Sequence, residues 1–174
     1  IYSEKFILAL SHDEVVHGKC SLLSKAPGTY EQKFAGVKTY LMYMMSHPGK
    51  KLNFMGNEIA QIIEWRDDRE IDWLLLQYPL HSDFQKFVAD LNHVYLKNKP
   101  FYELDDSWEG FNWLIVDDNG HNTFTYERID QSNKKLISVL NFSFCDWNRY
   151  SFNVENGKYK IIFASNDTKY GGQN

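Results

Sequence analysis

Apolar residues follow three successive rhythms along this chain, and the rhythms divide it. The first is a continuous run, Phe6-Ile7-Leu8-Ala9-Leu10. With no polar alternation, it predicts a short strand buried on both faces, as in a parallel sheet covered by helices. The second rhythm is helical: Tyr30, Phe34, Val37, Leu41 and Met44/Met45 recur at three- and four-residue spacing, and His47-Pro48-Gly49 ends the helix they imply. Both patterns then return. Leu52-Asn53-Phe54-Met55 predicts a second strand, followed by Gly56-Asn57-Glu58 and a long connection to Pro79. Phe84, Phe87, Val88, Leu91 and Tyr95 mark a second helix, whose start is placed at Ser82 because its hydroxyl can cap with Gln85 three residues on; Pro100 closes the segment. Strand, helix, strand, helix is the unit of a parallel sheet, and right-handed crossovers put both post-strand loops on one rim. Residues 11–19 and 56–73 are therefore expected to be neighbours.

From Phe111 onward the period becomes two. Phe111, Trp113 and Ile115 alternate with polar residues, Asp117-Asp118-Asn119-Gly120 supplies turn residues, and Phe124, Tyr126 and Arg128 continue beyond it, which predicts a hairpin. Residues 136–142, 150–154 and 159–163 give three more expected strands, with Asn156-Gly157 turning between the last two. The segment reads as part of an antiparallel sandwich. The fold expected is thus α/β followed by all-β, with units at 1–105 and 106–174.

Composition narrows the function classes. With 174 residues, 43% of them apolar and 16% aromatic, the chain can bury a core. A net charge of −4 without a basic block argues against nucleic-acid or anionic-membrane partners and for a neutral substrate. Cys20 and Cys145 form no metal-type pair or disulfide framework, so a reducing compartment, the cytosol, is expected. No apolar run is long enough to cross a bilayer and no signal-peptide pattern is present. A chain opening on Ile1 almost directly into a strand reads as a piece of a longer protein.

Chemistry is expected just past the carboxyl ends of the strands, where Ser11-His12-Asp13-Glu14 places a carboxylate. The plain alternative is that Asp13 caps a helix or pairs with Lys19. His12 and His17 resemble a zinc-protease pair only superficially: five residues apart rather than four, they would point to different sides of a helix, so no metal site is expected. Glu58 is read first as support for a turn. Trp65 and Trp73 could stack on a sugar ring but are read first as packing residues. Met42, Met44, Met45 and Met55 fit core positions.

The strings Leu10-Ser11-His12-Asp13-Glu14-Val15-Val16-His17-Gly18-Lys19, Pro27-Gly28, Gln32-Lys33-Phe34-Ala35, His47-Pro48-Gly49-Lys50-Lys51-Leu52, Phe54-Met55-Gly56-Asn57-Glu58, Glu64-Trp65, Asp72-Trp73 and the closing Asn166-Asp167-Thr168-Lys169-Tyr170-Gly171-Gly172 together resemble the bacterial-type glycogen branching enzymes, 1,4-α-glucan branching enzymes of the α-amylase superfamily. The resemblance runs over nearly the whole chain. It implies the last two strand-helix units of a (β/α)8 TIM barrel and then an incomplete all-β domain. It also implies an enzyme that cuts an α-1,4 linkage, holds the cut chain as a covalent glycosyl-enzyme and passes it to a C6 hydroxyl with retained configuration.

That chemistry takes a carboxylate nucleophile and a carboxylic acid about 5–5.5 Å apart. In the family both come from earlier barrel strands, outside this chain. Asp13 matches the third carboxylate, which binds donor-sugar hydroxyls and helps distort the ring, and His12 would hydrogen-bond the same sugar. Glu14, Glu58 and Trp65 fall in the matching motifs as further substrate-binding candidates. The implied partner is an α-1,4-glucan, the implied full-length enzyme a monomer, and no cofactor is implied, since transfer between carboxylates requires neither redox chemistry nor a metal. Arg66-Asp67 stand where many members have Asn-His, which bears on acceptor preference and transferred chain length. Three other readings compete: an α-glucan hydrolase of the same superfamily, a non-catalytic glucan-binding module using all-β aromatics such as Trp108, Trp113 or Trp147, and a structural or regulatory remnant whose barrel half was lost.

Overall fold

A computed structural model describes residues 7–173. Strand β1 (Ile7–Leu10) pairs in parallel with β2 (Lys50–Asn53), Ile7 opposite Lys50 and Leu10 opposite Asn53. Between them run a single helical turn, α1 (Leu22–Lys25), and the long helix α2 (Tyr30–Ser46). Thr29 starts α2 through a capping box: its hydroxyl accepts from the Gln32 amide while the Gln32 side chain returns to the Thr29 N–H. Helix α3 (Pro79–Lys97) follows β2 after a long, mostly irregular connection.

Phe34, Val37, Leu41, Met44 and Met45 of α2 meet Phe84, Phe87, Val88 and Leu91 of α3, with Leu10, Leu23 and Ala60 closing one core. Tyr170 completes it from the far end of the chain. Its ring packs on Phe87 and Phe163, both at 5.5 Å, its hydroxyl donates to Asp90 Oδ2 at 2.6 Å, and its carbonyl accepts from the buried Lys38 ammonium at 3.0 Å. Burial holds that lysine below its ordinary pKa.

The remainder is antiparallel. β3 (Phe111–Ile115), β4 (Thr123–Ile129) and β5 (Lys135–Asn141) form a three-stranded sheet with β4 in the middle. A bulge interrupts the β3–β4 register between Trp113 and Ile115. The sheet is attached to α2 through Arg128, a fully buried cation. Its Nε donates to Gly110 O and its guanidinium to Ser46 O, both at 2.9 Å, and to Asp105 Oδ1 at 2.7 Å. Beside it the Tyr126 and Ser46 hydroxyls share a 2.6 Å hydrogen bond.

Several expectations are corrected. β1 is not buried on both faces: Ile7 is 60% exposed and Ala9 lies open, because among the described residues the sheet has two strands. Phe6 lies outside the described residues. The second strand spans Lys50–Asn53, two positions earlier than the apolar run suggests, since backbone pairing with β1 sets the register. Phe54 still donates its N–H to Leu10 O at 2.8 Å, after which Gly56, at φ 89°, turns the chain away and leaves Met55 49% exposed. Helix α3 begins at Pro79, not Ser82; proline at the first helical position supplies the required φ and lacks the N–H that a cap would satisfy. Residues 150–154 and 159–163 form no ladder among the described residues. The parallel pair, both long helices and the hairpin stand as expected.

Candidate active-site rim

Leu10 ends β1, and the next residue starts a 3-10 turn, His12–Glu14. Ser11 caps that turn. Its Oγ accepts from Asp13 N at 3.2 Å, while Glu14 Oε2 reaches back to accept from Ser11 N at 2.6 Å and from Ser11 Oγ at 2.9 Å. Glu14 is therefore held as a local brace. Asp13 is the outward member: its carboxylate is 68% exposed, with His12 Nε2 3.3 Å away, and the Lys19 ammonium donates to the Asp13 backbone carbonyl at 2.7 Å rather than to the carboxylate. Neither plain alternative, capping or a Lys19 ion pair, describes Asp13.

Behind this turn lies the loop after β2, as the crossover argument requires. Trp65 N donates to Val15 O at 2.8 Å. The Ser21 and Ser24 hydroxyls both donate to Ile62 O, at 2.8 and 2.7 Å. A chain of rings joins the two loops, His12 to Phe54 at 6.0 Å and Phe54 to Trp65 edge-to-face at 5.3 Å. Trp65 is thus half-buried and packed on Phe54, whereas Trp73 is 51% exposed, against its reading as a packing residue. Glu58 sits half-buried in the 3-10 turn Asn57–Ile59, on the same rim, next to the buried Asn57.

Glu64 is the positioning residue that sequence reasoning passed over. Its carboxylate accepts from Gly18 N at 3.0 Å and from Cys20 N at 3.2 Å. His17, Gly18 and Cys20 all have positive φ, 57°, 77° and 63°, and in this sharply turned loop the Gly18 and Cys20 N–H groups face Glu64 while Lys19 N donates to Val16 O. Gly18 in the loop after β1 was the available signal; what the loop would close on was not. Beyond Glu64, Arg66 makes a two-pronged pair with Asp68, at 2.8 and 2.5 Å, on the exposed rim, and that pairing holds the Asp68 carboxyl below its usual range.

The arrangement offers substrate an exposed carboxylate and an imidazole on a braced turn, flanked by an aromatic pair. His12 and His17 do not converge with other donors, and among the described residues no group of three His, Cys, Asp or Glu side chains could hold a metal ion.

Comparison with known proteins gives two findings. Residues 113–174 match the family model for the alpha amylase C-terminal all-beta domain. Over nearly its whole length the chain is similar to proteins named 1,4-alpha-glucan branching enzyme GlgB: 46% identical over 173 residues in Desulfitobacterium hafniense, and 44% over 173 in Oceanobacillus iheyensis, covering 98% of this chain and 27% of each relative. In Photobacterium profundum the identity is 44% over 172 residues, 98% of this chain and 24% of the relative. The chain spans about a quarter of the length of the curated relatives it matches. The likeness to branching enzymes drawn from the motifs therefore holds across the chain.

Proposed function

We propose that this chain is the part of a 1,4-α-glucan branching enzyme that closes one side of its active site and carries its all-β domain. In this reading β1 and β2 are the last two strands of a (β/α)8 barrel, and the turn His12–Glu14 lies at the carboxyl-terminal face where such barrels keep their chemistry. The observation that carries the reading is the geometry of Asp13. A carboxylate directly past a parallel strand, open to substrate and beside an imidazole, rests on a turn whose own hydrogen bonds are complete.

Such a carboxylate can accept hydroxyl donors of the donor-site glucose and oppose the positive charge that develops as the glycosidic bond breaks. Preorganisation makes this effective, because Ser11, Glu14 and the Glu64 clamp fix the turn before substrate arrives. His12 supplies a second hydrogen bond to the same sugar. Trp65 and Phe54 form the wall behind it, and Glu58 lines the neighbouring stretch of rim. Glu14, with one oxygen already committed to Ser11, acts on substrate mainly through Asp13 and His12. The nucleophile and general acid come from the rest of the enzyme, and α-1,4-glucan is both donor and acceptor.

The test uses the full-length protein carrying this chain. Incubation with amylose, debranching with isoamylase and counting of released reducing ends should show new branch points in the wild type. Removing a preorganised charge stabiliser typically lowers turnover about 10²–10³-fold, so Asp13→Asn should abolish most branching. Short soluble sugars without branches would assign a hydrolase instead. Undiminished branching by Asp13→Asn would remove Asp13 from the mechanism.

A further inference from the structure

His81, in the first turn of α3, is a wholly buried imidazole with both ring nitrogens engaged. Nδ1 lies 2.8 Å from Ile59 O, and Nε2 lies 2.7 Å from the Tyr30 hydroxyl. A carbonyl oxygen can only accept, so the network assigns the proton to Nδ1; Nε2 is then bare and accepts from Tyr30. The tyrosine is suited to donating, since burial, with Glu31 and Tyr78 adding to it, raises its pKa. The Phe34 ring packs edge-to-face on the imidazole at 4.9 Å and on the Tyr30 ring at 5.1 Å, so the histidine is walled in as well as bonded.

The bond to Ile59 falls on a turn that needs support. Asn57–Ile59 stands between two residues in the left-handed region, Gly56 at φ 89° and Ala60 at φ 53°. Glycine adopts that conformation freely, whereas the alanine side chain makes it costly, and such a residue persists only where its surroundings hold it. Within the turn, Ala60 N donates to Asn57 O at 3.2 Å and Gln61 N to Gly56 O at 3.0 Å. His81 holds the turn from outside, on the carbonyl between Glu58 and Ala60. It also joins three segments that border the rim: Tyr30 opens α2 after the loop that follows β1, Ile59 lies in the loop after β2, and His81 itself opens α3. A phenylalanine would fill the same space against Phe34, so a ring that donates and accepts there is more than packing requires.

We propose that His81 is a positioning residue of the glucan-binding rim: its Nδ1–H, held on the Ile59 carbonyl, sets the turn that presents Glu58 to the polysaccharide. The proposal rests on the branching-enzyme reading, which makes Glu58 a substrate contact. Its effect falls on binding and not on bond breaking, because the Asp13 turn is braced separately by Ser11 and Glu14.

The experiment measures steady-state branching of amylose and amide hydrogen exchange on the full-length protein. His81→Phe keeps the ring and removes the donor. It should raise the KM for amylose about three- to tenfold, the scale of one hydrogen bond, with kcat within about twofold of wild type. His81→Asn, whose amide N–H stands close to the Nδ1 position, should restore KM to within about twofold. Glu58→Gln should raise KM by itself, and adding His81→Phe to it should cost less than about a further twofold, because both changes act through one contact. Exchange at Ala60 and Gln61 should be faster in His81→Phe and near wild type in His81→Asn. Additive losses in the double variant, or His81→Asn no better than His81→Phe, would overturn the proposal and leave His81 a packing residue. Wild-type protein that forms no branches, with exchange at 60 and 61 responding to His81 as stated, would refute the branching-enzyme reading and keep the hold on the turn. Branch formation with that exchange indifferent to His81→Phe would do the reverse.

Discussion

Replacing Arg128 with methionine tests how the all-β unit is fastened to the strand-helix unit. Arg128 is fully buried, and its guanidinium is shared among Ser46 O at the end of α2, Gly110 O at the start of β3 and the Asp105 carboxylate. Methionine fills a similar volume without the donors. The change then leaves Asp105, 7% exposed, with one oxygen that already has no hydrogen bond and, among the described residues, with Lys50, 3.6 Å away and largely in solvent, as its remaining ion-pair partner. Removing one partner of a buried ion pair typically costs about 3–5 kcal/mol, because the other charge stays buried. At roughly 2–4 °C of Tm per kcal/mol for a chain of this size, Arg128→Met should melt about 6–20 °C lower.

The double variant Arg128→Met/Asp105→Leu separates the desolvated charge from the lost packing. Replacing both partners by apolar groups is often near neutral, so it should regain most of the loss. Urea denaturation followed by far-ultraviolet circular dichroism measures both. A single-variant cost under about 1 kcal/mol, or a double variant no more stable than the single, would refute the claim that a buried charge pair fastens the units.

Two further outcomes follow from the same geometry. Burial lowers the Lys51 ammonium to about 7, with Asp105 opposing and Arg128 and Lys50 adding to the shift, although the ammonium donates to His47 O and Gly49 O. From pH 7 upward the unfolded chain, titrating at 10.5, holds a proton that the folded chain has released. Stability should therefore rise with pH from 7 toward 10.0, where ordinary tyrosines begin to titrate, and stay level in this respect below 7; Lys51→Met should flatten that rise in the urea midpoint, and an unchanged slope would disprove it. Glu64→Gln should weaken the charge-assisted bonds to Gly18 and Cys20 by about 1 kcal/mol, speeding amide exchange at those two positions several-fold without lowering the melting temperature much. Exchange unchanged at both would free the rim loop from Glu64.

What the sequence showed depended on whether a pattern encodes its own partner. The helical faces of α2 and α3 do, because a stripe such as Phe34, Val37 and Leu41 or Phe84, Phe87, Val88 and Leu91 must find another stripe, and these two found each other. The rim was legible for the same kind of reason: two parallel strands with helical crossovers leave their loops on one side, and Trp65 N on Val15 O is the result. Strand limits were not. Residues 150–154 and 159–163 alternate as strands do, yet a strand is made by a neighbour's backbone, and among the described residues none pairs with them. Arg128 shares the face of Phe124 and Tyr126 in the period-two run, but the sequence did not show what a buried guanidinium there would pair with. Its burial follows from three acceptors contributed by positions 46, 105 and 110, which only the fold brings together.

Those acceptors explain how an all-β unit remote from the chemistry can still bear on it. Helix α2 is a beam about 25 Å long, at 1.5 Å per residue over 17 residues. Near its start, the Lys25 ammonium donates to Glu14 O under the Asp13 turn, while Lys33 donates to Ser24 O and Ala26 O at 3.0 and 2.5 Å. At its other end Arg128 and Tyr126 hold Ser46, and Lys51 holds the carbonyls of His47 and Gly49. β2 begins one residue after Gly49, so the clamp that ends α2 also sets where β2 enters its ladder with β1. Phe54 N on Leu10 O then carries that register to the residue before Ser11. Loosening Arg128 displaces the support of Asp13 before it unfolds the chain. Under the proposed function, Arg128→Met in the full-length protein, assayed below its melting transition, should therefore lower the rate of branch formation, and an unchanged rate would disprove the coupling.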